Sequence, residues 1–563
     1  MNHLKLTIPC LATSAQLNTM QAVAAQQMGG ADVARPNIIL FMVDDMGWQD
    51  TSVPFWTQRT PLNDKYETPN MERLASEGML FTQAYAAPIS SPSRCSLMTG
   101  ANAARHRVTN WTLQKDESTD IEDDVVSTPD WNVNGIMQEP HGVQKVQEVQ
   151  SPTGVQKVQK VQRVQGIIDH VFVCRSFVDI LHENGYHTIH VGKAHWGAVD
   201  TPGERPEHFG FDVNVAGHAA GGPATYLSEQ NYGHDSLGHA TSLMATPDLN
   251  RYWGTGTFLT EALTQEAINA LDNWKKKAPA ERSNSSIAPT ERSKGSISPF
   301  YLYMSHYAIH VPIDRDIRYY QKYIDKGLSA KEAAYASLVE GMDKSLGDIL
   351  DWLDRNGEAE NTVVIFMSDN GGYATGSYWR DEPLYTQNAP LRCGKGSLLE
   401  GGIREPMIVR WPGHVRPQSR CNSYVMIEDY FPTILEMGGV SHYDVPQTID
   451  GRSFMPLLTE KGDPSRGRAL IWNYPNVWGN EGPGISLNCA IRLGQWKLIY
   501  NYKTREKELY DIDHDISEEH NLAGEHRSIV RRLSRMLSRQ LHKMKAQRPV
   551  MKSTGKPCPW PDE

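Results

Sequence analysis

Ser90 is a hydroxyl placed where an anion would be stabilised. The stretch Ser90-Ser91-Pro92-Ser93-Arg94-Cys95-Ser96-Leu97-Met98-Thr99-Gly100 reads as a loop turning into a helix. Pro92 suits the first helical position, where its missing N–H costs nothing, and Ser91 suits the N-cap. Ser90 then lies beside the positive end of a helix, where backbone N–H groups favour negative charge. Arg94, one turn on, adds a planar cationic fork that can orient an anion. These residue types suit a nucleophile for a phosphate- or sulfate-like ester. They also make an ordinary serine-rich capping turn.

Other chemistry-bearing residues fall at one architectural place, the carboxyl ends of buried strands, where an α/β sheet presents its ligands. Asn37–Val43 is a mostly apolar run that reads as a central parallel strand, and it ends in Asp44-Asp45. Adjacent carboxylates repel unless a cation or proton lies between them. Tyr186–Val191 is a second strand and runs into Lys193 and His195, two residues apart and so on one face of an extended chain. Phe300–Ser305 precedes His310, and Thr362–Met367 precedes Asp369-Asn370. Lys395 sits between two glycines. Asp44, Asp45, Asp369 and Asn370 offer oxygen alone, which suits Ca2+ or Mg2+ over zinc. Arg94, Lys193 and Lys395 supply the positive charge that a transferring anionic group requires.

The elements that must position these groups follow an α/β pattern: a large, mostly parallel sheet flanked by helices. Phe177–Glu183, Phe258–Lys276, Lys331–Asn356 and Glu428–Met437 read as helices, and Leu80–Ala84 and Pro406–Arg410 as further strands. After about residue 445 the pattern changes to short strands at 470–473, 489–493, 496–501 and 507–511, then a helix over 528–545. That predicts a smaller α+β subdomain over 445–550 containing an antiparallel sheet, packed on a catalytic domain over 35–440. Two repeat-like insertions interrupt the latter. Val-Gln-Lys-type triplets recur through 142–166, and Glu-Arg-Ser-x-x-Ser-Ile occurs twice within 278–299. A period of three matches neither strand nor helix, so these read as solvated insertions.

The 563 residues carry a net charge of −10, which argues against a nucleic-acid binder acting through bulk charge. Seven scattered cysteines describe neither a disulfide framework nor a zinc site, and Cys95 is expected to be buried in its helix. No apolar run is long enough to span a membrane. Residues 1–24 read as a signal peptide: Lys5, a partly apolar Leu6–Ala15, and Ala22-Val23-Ala24 as a cleavage pattern.

The order VDD, SxPSR, GKxH, HxP, SDNG and GKG…EGGxR resembles that of type I, formylglycine-dependent sulfatases of the alkaline phosphatase superfamily, over residues 36–440. The match is to the serine form of the motif. The resemblance implies that Ser90 is oxidised to formylglycine (3-oxoalanine) by a serine-accepting maturase. It implies one Ca2+ held by Asp44, Asp45, Asp369, Asn370 and the modified Ser90. The aldehyde hydrate would attack sulfur in line, and His310, with Lys395 beside it, would protonate the departing alcohol. His195 would then take a proton from the second hydroxyl and expel sulfate, while Lys193 and Arg94 hold the sulfate and the nucleophile. The implied substrate is a sulfated glycan, and the implied place is the bacterial periplasm.

If Ser90 stays a serine, the same residues suit a phosphatase or phosphodiesterase; a sulfoglycan-binding protein without turnover is a third reading. Substrate choice is expected to lie in Arg105–Arg107, Gly217–Tyr226 and the loop from Tyr373 to Arg392, whose Tyr378, Trp379 and Arg380 suit a sugar ring.

Overall fold

The computed structural model describes residues 35–140, 168–281, 298–373, 388–479 and 482–563. The signal-peptide reading and the insertion at 142–166 lie outside these residues. So do 282–297 of the second insertion and Tyr378–Glu382; residues 278–281 instead extend the preceding helix.

A nine-stranded sheet organises the larger part of the chain. In chain order its strands are β1 (Asn37–Val43), β2 (Met79–Tyr85), β3 (His187–Gly192), β4 (Val213–Val215), β5 (Phe300–Ser305), β6 (Thr362–Ser368), β7 (Arg404–Arg410), β8 (Ser419–Cys421) and β9 (Val425–Met426). The order across the sheet is β8-β2-β7-β6-β1-β5-β3-β4, with β9 also on β2. Pairings are parallel except those of β7, which runs against both β2 and β6. The amino end of β7 therefore lies at the edge where its neighbours end, so the Lys395 loop that precedes it reaches the edge that Asp44 and Asp369 occupy.

β1 shows why the sheet is central. Ile39, Phe41 and Val43 enter one core, and Ile38, Leu40 and Met42 enter the other. Both faces are covered, so the strand is apolar throughout. The first core is closed by α2 (Leu259–Glu281) and α3 (Ala330–Asn356), the second by α1 (Ser90–Thr99) and α4 (Tyr430–Met437). A capping box at Ser329 and Glu332 starts α3, and Gly357 ends it at φ 69°.

The C-terminal part holds a separate four-stranded antiparallel sheet: β10 (Ala469–Tyr474), β11 (Asn488–Leu493), β12 (Trp496–Asn501) and β13 (Lys507–Asp511). One face takes Leu533, Leu537 and Leu541 of α5 (Arg527–Lys543). The other packs on Leu398, Leu399 and Ile403 of the larger part. Fully buried charges join the two. Lys497 Nζ lies 2.9 Å from both Glu400 Oε1 and Glu518 Oε1, and Glu400 also takes Tyr85 Oη at 2.6 Å. Removing one partner of such a network strands the rest in low dielectric. Lys497→Ala is therefore expected to cost about 3–5 kcal/mol, read as a lowered Tm.

Candidate active site

Ser90 opens α1. The helix begins two residues earlier than the capping reading predicts: Ile89 is the extended N-cap residue, without a side-chain cap, and Pro92 lies inside the first turn. Pro is tolerated there because first-turn N–H groups have no intrahelical partner. Ser91 is thus not the cap. Its hydroxyl accepts from Thr112 N and meets His195 Nε2, each at 3.1 Å.

The strand ends deliver the rest. Asp44 and Asp45 follow β1, and Asp369 and Asn370 follow β6, the immediate neighbour of β1, so all four lie side by side. Oxygens of Asp44, Asp45 and Asp369 lie within 4.8 Å of one another, all buried. Ser90 Oγ is 3.2 Å from Asp44 Oδ1 and 3.1 Å from Asn370 Oδ1. It has one hydrogen for two acceptors. Asn370 Nδ2 donates to Asp45 Oδ1 at 2.8 Å, which turns its carbonyl oxygen to Ser90.

Three cations meet the three carboxylates. Lys193 Nζ is 2.5 Å from Asp44 Oδ2, and Lys395 Nζ is 2.7 Å from Asp45 Oδ1. Arg94 Nε is 2.9 Å from Asp369 Oδ2. Arg94 Nη1 donates to Ser305 Oγ at 2.6 Å and to the Lys193 carbonyl at 3.2 Å. Arg94 and Lys193 are fully buried and spend their charge on these carboxylates. Burial, then repulsion from Asp369, pushes the Asp44 carboxyl well above its usual range. Burial also works against the charge on Asp45, but Lys395 and His310 outweigh it and hold that carboxyl below its usual range.

The histidines are buried neutral. Burial, then Lys193 and Arg94, holds His195 far below its usual value. Its Nε2 reaches the Thr112 carbonyl at 3.1 Å, an acceptor that fixes the proton on that nitrogen. Among the described residues Nδ1 is left buried without a partner, a lone pair with nothing to accept from. His310 Nδ1 donates to the Val311 carbonyl at 2.8 Å, and its Nε2 faces Asp45 at 3.8 Å. Burial and then Lys395 lower His310 to about 3. Asp45 and His195 both adopt left-handed backbone, φ 61° and 58°, a cost that concentrates at functional sites.

Asp45, Ser90, His195, His310 and Lys395 line one cavity of about 830 Å3. Gly221 to Ala224 line it too, as do Trp111, Ile121, Tyr373 and Trp478. The Gly217–Tyr226 loop is therefore at the cavity. A side chain at Gly221 would put its Cβ 2.5 Å from His195 Cε1. Gly221→Ala is expected to displace that ring and cut kcat about 100-fold without unfolding the protein, checked by steady-state kinetics beside a thermal melt.

The basic cluster after α1 is not at the site. Arg105 is bound to Asp450, and His106 is buried against Ser96 Oγ at 3.0 Å. Arg107 donates to the Lys545 carbonyl at 2.7 Å. None of the three lines the cavity, and each is used in packing. Residues 374–387 of the Tyr373–Arg392 loop lie outside the described residues. Ser91, Thr112, Ser305 and Trp478 were not legible as site residues, because their partners come from distant segments. Cys95 is fully buried, as expected.

Known proteins share this architecture. A family model described as Sulfatase matches residues 36–145 and 153–440. One described as N-sulphoglucosamine sulphohydrolase, C-terminal, matches 394–547. A protein named Sulfatase from Formosa agariphila is 29% identical over 545 residues, covering 88% of this chain and 85% of its own. Homo sapiens N-acetylgalactosamine-6-sulfatase is 28% identical over 478 residues, covering 80% and 74%. The crystal structure of Ps i-CgsB superposes with a TM-score of 0.65 at 25% identity, covering 90% of this chain and 93% of that one. It has also been solved in complex with k-i-k-neocarrahexaose. The matched family models and relatives show that this chain belongs to the sulfatase family, as a type I sulfatase of the alkaline phosphatase superfamily and a sulfuric ester hydrolase.

Proposed function

We propose that the chain removes sulfate from a sulfated glycan, with residue 90 carried as formylglycine and one Ca2+ held by Asp44, Asp45, Asp369, Asn370 and residue 90. The observation that carries this reading is the convergence on Ser90 Oγ. Two acceptor oxygens face it at 3.2 and 3.1 Å with one hydrogen between them, beside two more buried carboxylates. Oxygen donors crowded without enough hydrogens fit a hard divalent cation. The pairings support it as well: Asp369, Asp44 and Asp45 each meet one cation, Arg94, Lys193 and Lys395 in turn, and a bound divalent ion would favour the ionised form of Asp44. A divalent ion would leave the site net positive, ready for a sulfate monoester anion.

Bound together, formylglycine supplies a geminal diol as nucleophile and Ca2+ supplies charge stabilisation. The chain's own residues do the rest. Arg94 fixes Asp369, and Lys193 fixes Asp44, so the acidic cluster is preorganised. Burial works against the charge on Lys395, but Asp45 and Asp44 outweigh it and hold the lysine above its usual value, so it keeps its proton. Lys395 thus offers positive charge where the alcohol departs. His310 Nε2, beside it, passes the proton to the leaving oxygen once the sulfate anion favours its charged form. His195 Nδ1, unpartnered and neutral, takes the proton from residue 90 in the second half of the reaction.

The glycan assignment is supported by the aromatic lining of the cavity, Trp111, Tyr373 and Trp478, whose faces suit sugar rings. The names of the human relative and of the neocarrahexaose complex point the same way. The leader-like residues 1–24 and the serine motif fit an exported bacterial enzyme, acting in the periplasm after a serine-accepting maturase has modified it. The test is sulfate release from a panel of sulfated mono- and disaccharides by protein co-expressed with such a maturase. Turnover of at least one sugar, lost with a chelator and regained with Ca2+, is expected. No release by protein shown to carry formylglycine would overturn the reading.

A further inference from the structure

Helix α5 is a basic face that the sulfatase reaction does not use. Between Arg527 and Lys545 the sequence holds seven lysines and arginines and no aspartate or glutamate, in a chain with 56 basic and 66 acidic residues. Arg527, Arg531, Arg535, Arg539 and Lys543 recur every four residues, with Arg532 beside them, and all six are exposed. Leu533, Leu537 and Leu541 bury the opposite face on the C-terminal sheet, which turns these cations to solvent. None of the six forms an ion pair with a described carboxylate.

That pattern works against the helix itself. Like charges four residues apart repel. The first turn carries no acidic residue, and Arg527, Arg531 and Arg532 sit toward the positive end of the macrodipole. A solvated face built for solubility mixes both signs. A single-sign stripe along 17 residues, about 25 Å long, matches an extended polyanion instead of a single sugar.

The stripe also leads toward the cavity. Arg107 donates to the carbonyl of Lys545, just past the end of α5. The chain then pairs Val550 with Ser127, and Lys552 Nζ reaches Glu122, the neighbour of the cavity-lining Ile121. A cavity of about 830 Å3 holds a short piece of a polymer, so the remainder must lie on the surface.

We propose that the exposed face of α5 is an exosite that binds the polysulfated chain whose sulfate esters the active site cleaves. The inference rests on the sulfated-glycan reading of the substrate. Sulfate groups along the polymer would pair with successive arginines, releasing counterions and keeping the chain near the cavity between turnovers.

The test compares the full-length protein with the triple variant Arg531→Gln/Arg535→Gln/Arg539→Gln, whose side chains have no ion-pair partners to lose among the described residues. Heparin serves as the binding probe, on protein with or without formylglycine. The wild type is expected to stay on heparin at physiological salt, and the variant to elute earlier. The slope of log affinity against log salt should fall by about 2. In turnover, the variant should show at least a tenfold higher KM on a polymeric sulfated glycan and unchanged kcat/KM on the sulfated monosaccharide. Equal elution and equal polymer KM for the two proteins would overturn the proposal. Retention on duplex DNA to higher salt than on heparin would also overturn it, assigning the face to nucleic acid. Failure of the functional reading is seen separately, as a wild type that releases no sulfate from the monosaccharide.

Discussion

Ser90→Ala is expected to lower kcat/KM on any sulfate ester by about 10,000-fold or more, while the protein stays folded. Among the described residues, Ser90 Oγ is the hydroxyl that faces both Asp44 Oδ1 and Asn370 Oδ1. Alanine removes the nucleophile and the atom that is modified, and neighbouring residues supply no substitute: Ser91 Oγ is committed to His195 and Thr112, and Ser93 Oγ to backbone groups. Groups that act on one bond as a unit fail together, so the loss approaches that of the whole catalytic apparatus. Stability should change little. Alanine suits a first helical turn, the vacated volume is one oxygen, and a crowded acceptor cluster loses a single donor, so the change is expected to stay within about 1 kcal/mol. Steady-state kinetics and a thermal melt on the same preparation check both halves.

The second large effect joins catalysis to folding. Asp369 is fully buried, meets Arg94 at 2.8 Å and accepts from the Asp45 amide at 3.3 Å. Asp369→Ala leaves the Arg94 charge without its carboxylate and deletes a ligand of the proposed Ca2+. Breaking a buried pair from one side costs about 3–5 kcal/mol, so Tm should fall by several degrees and turnover should be lost. Asp369→Asn keeps the shape and separates the two roles: a smaller fall in Tm with the same loss of turnover. Calcium titration gives an independent readout. At 1,000 times its Kd, a ligand that binds only the folded state adds about 4 kcal/mol. The wild type should gain that increment, and Asp369→Ala should gain none.

The strands that build the site were readable because both faces of the sheet are covered. Asn37–Val43 and Thr362–Ser368 are apolar at nearly every position, and a buried parallel strand has to be. Polar residues at the ends of such runs then fall at one edge of the sheet, so the sequence alone groups Asp44, Lys193, His310 and Asp369. Antiparallel β7 was legible as a strand but not in its direction, and that direction is what brings the Lys395 loop to the edge. Local sequence misplaced the start of α1 by two residues, since Ser91 is a far better cap on propensity than Ile89, where the helix is capped. Its hydroxyl is claimed instead by His195, 104 residues away. Arg105–Arg107 read as a basic cluster near the site, yet Asp450 and the Lys545 carbonyl take its arginines. Trp478 comes to the cavity from the C-terminal part, and nothing near it in sequence announces that return.

Peptide mass spectrometry across Ser90, on active protein from a host with a serine-accepting maturase, tests the central claim most directly. The account predicts a residue 90 lighter by two hydrogens and trapped by a carbonyl reagent, in proportion to turnover. An unmodified Ser90 in protein that still hydrolyses sulfate esters would contradict it, and would assign the chemistry to the serine hydroxyl itself.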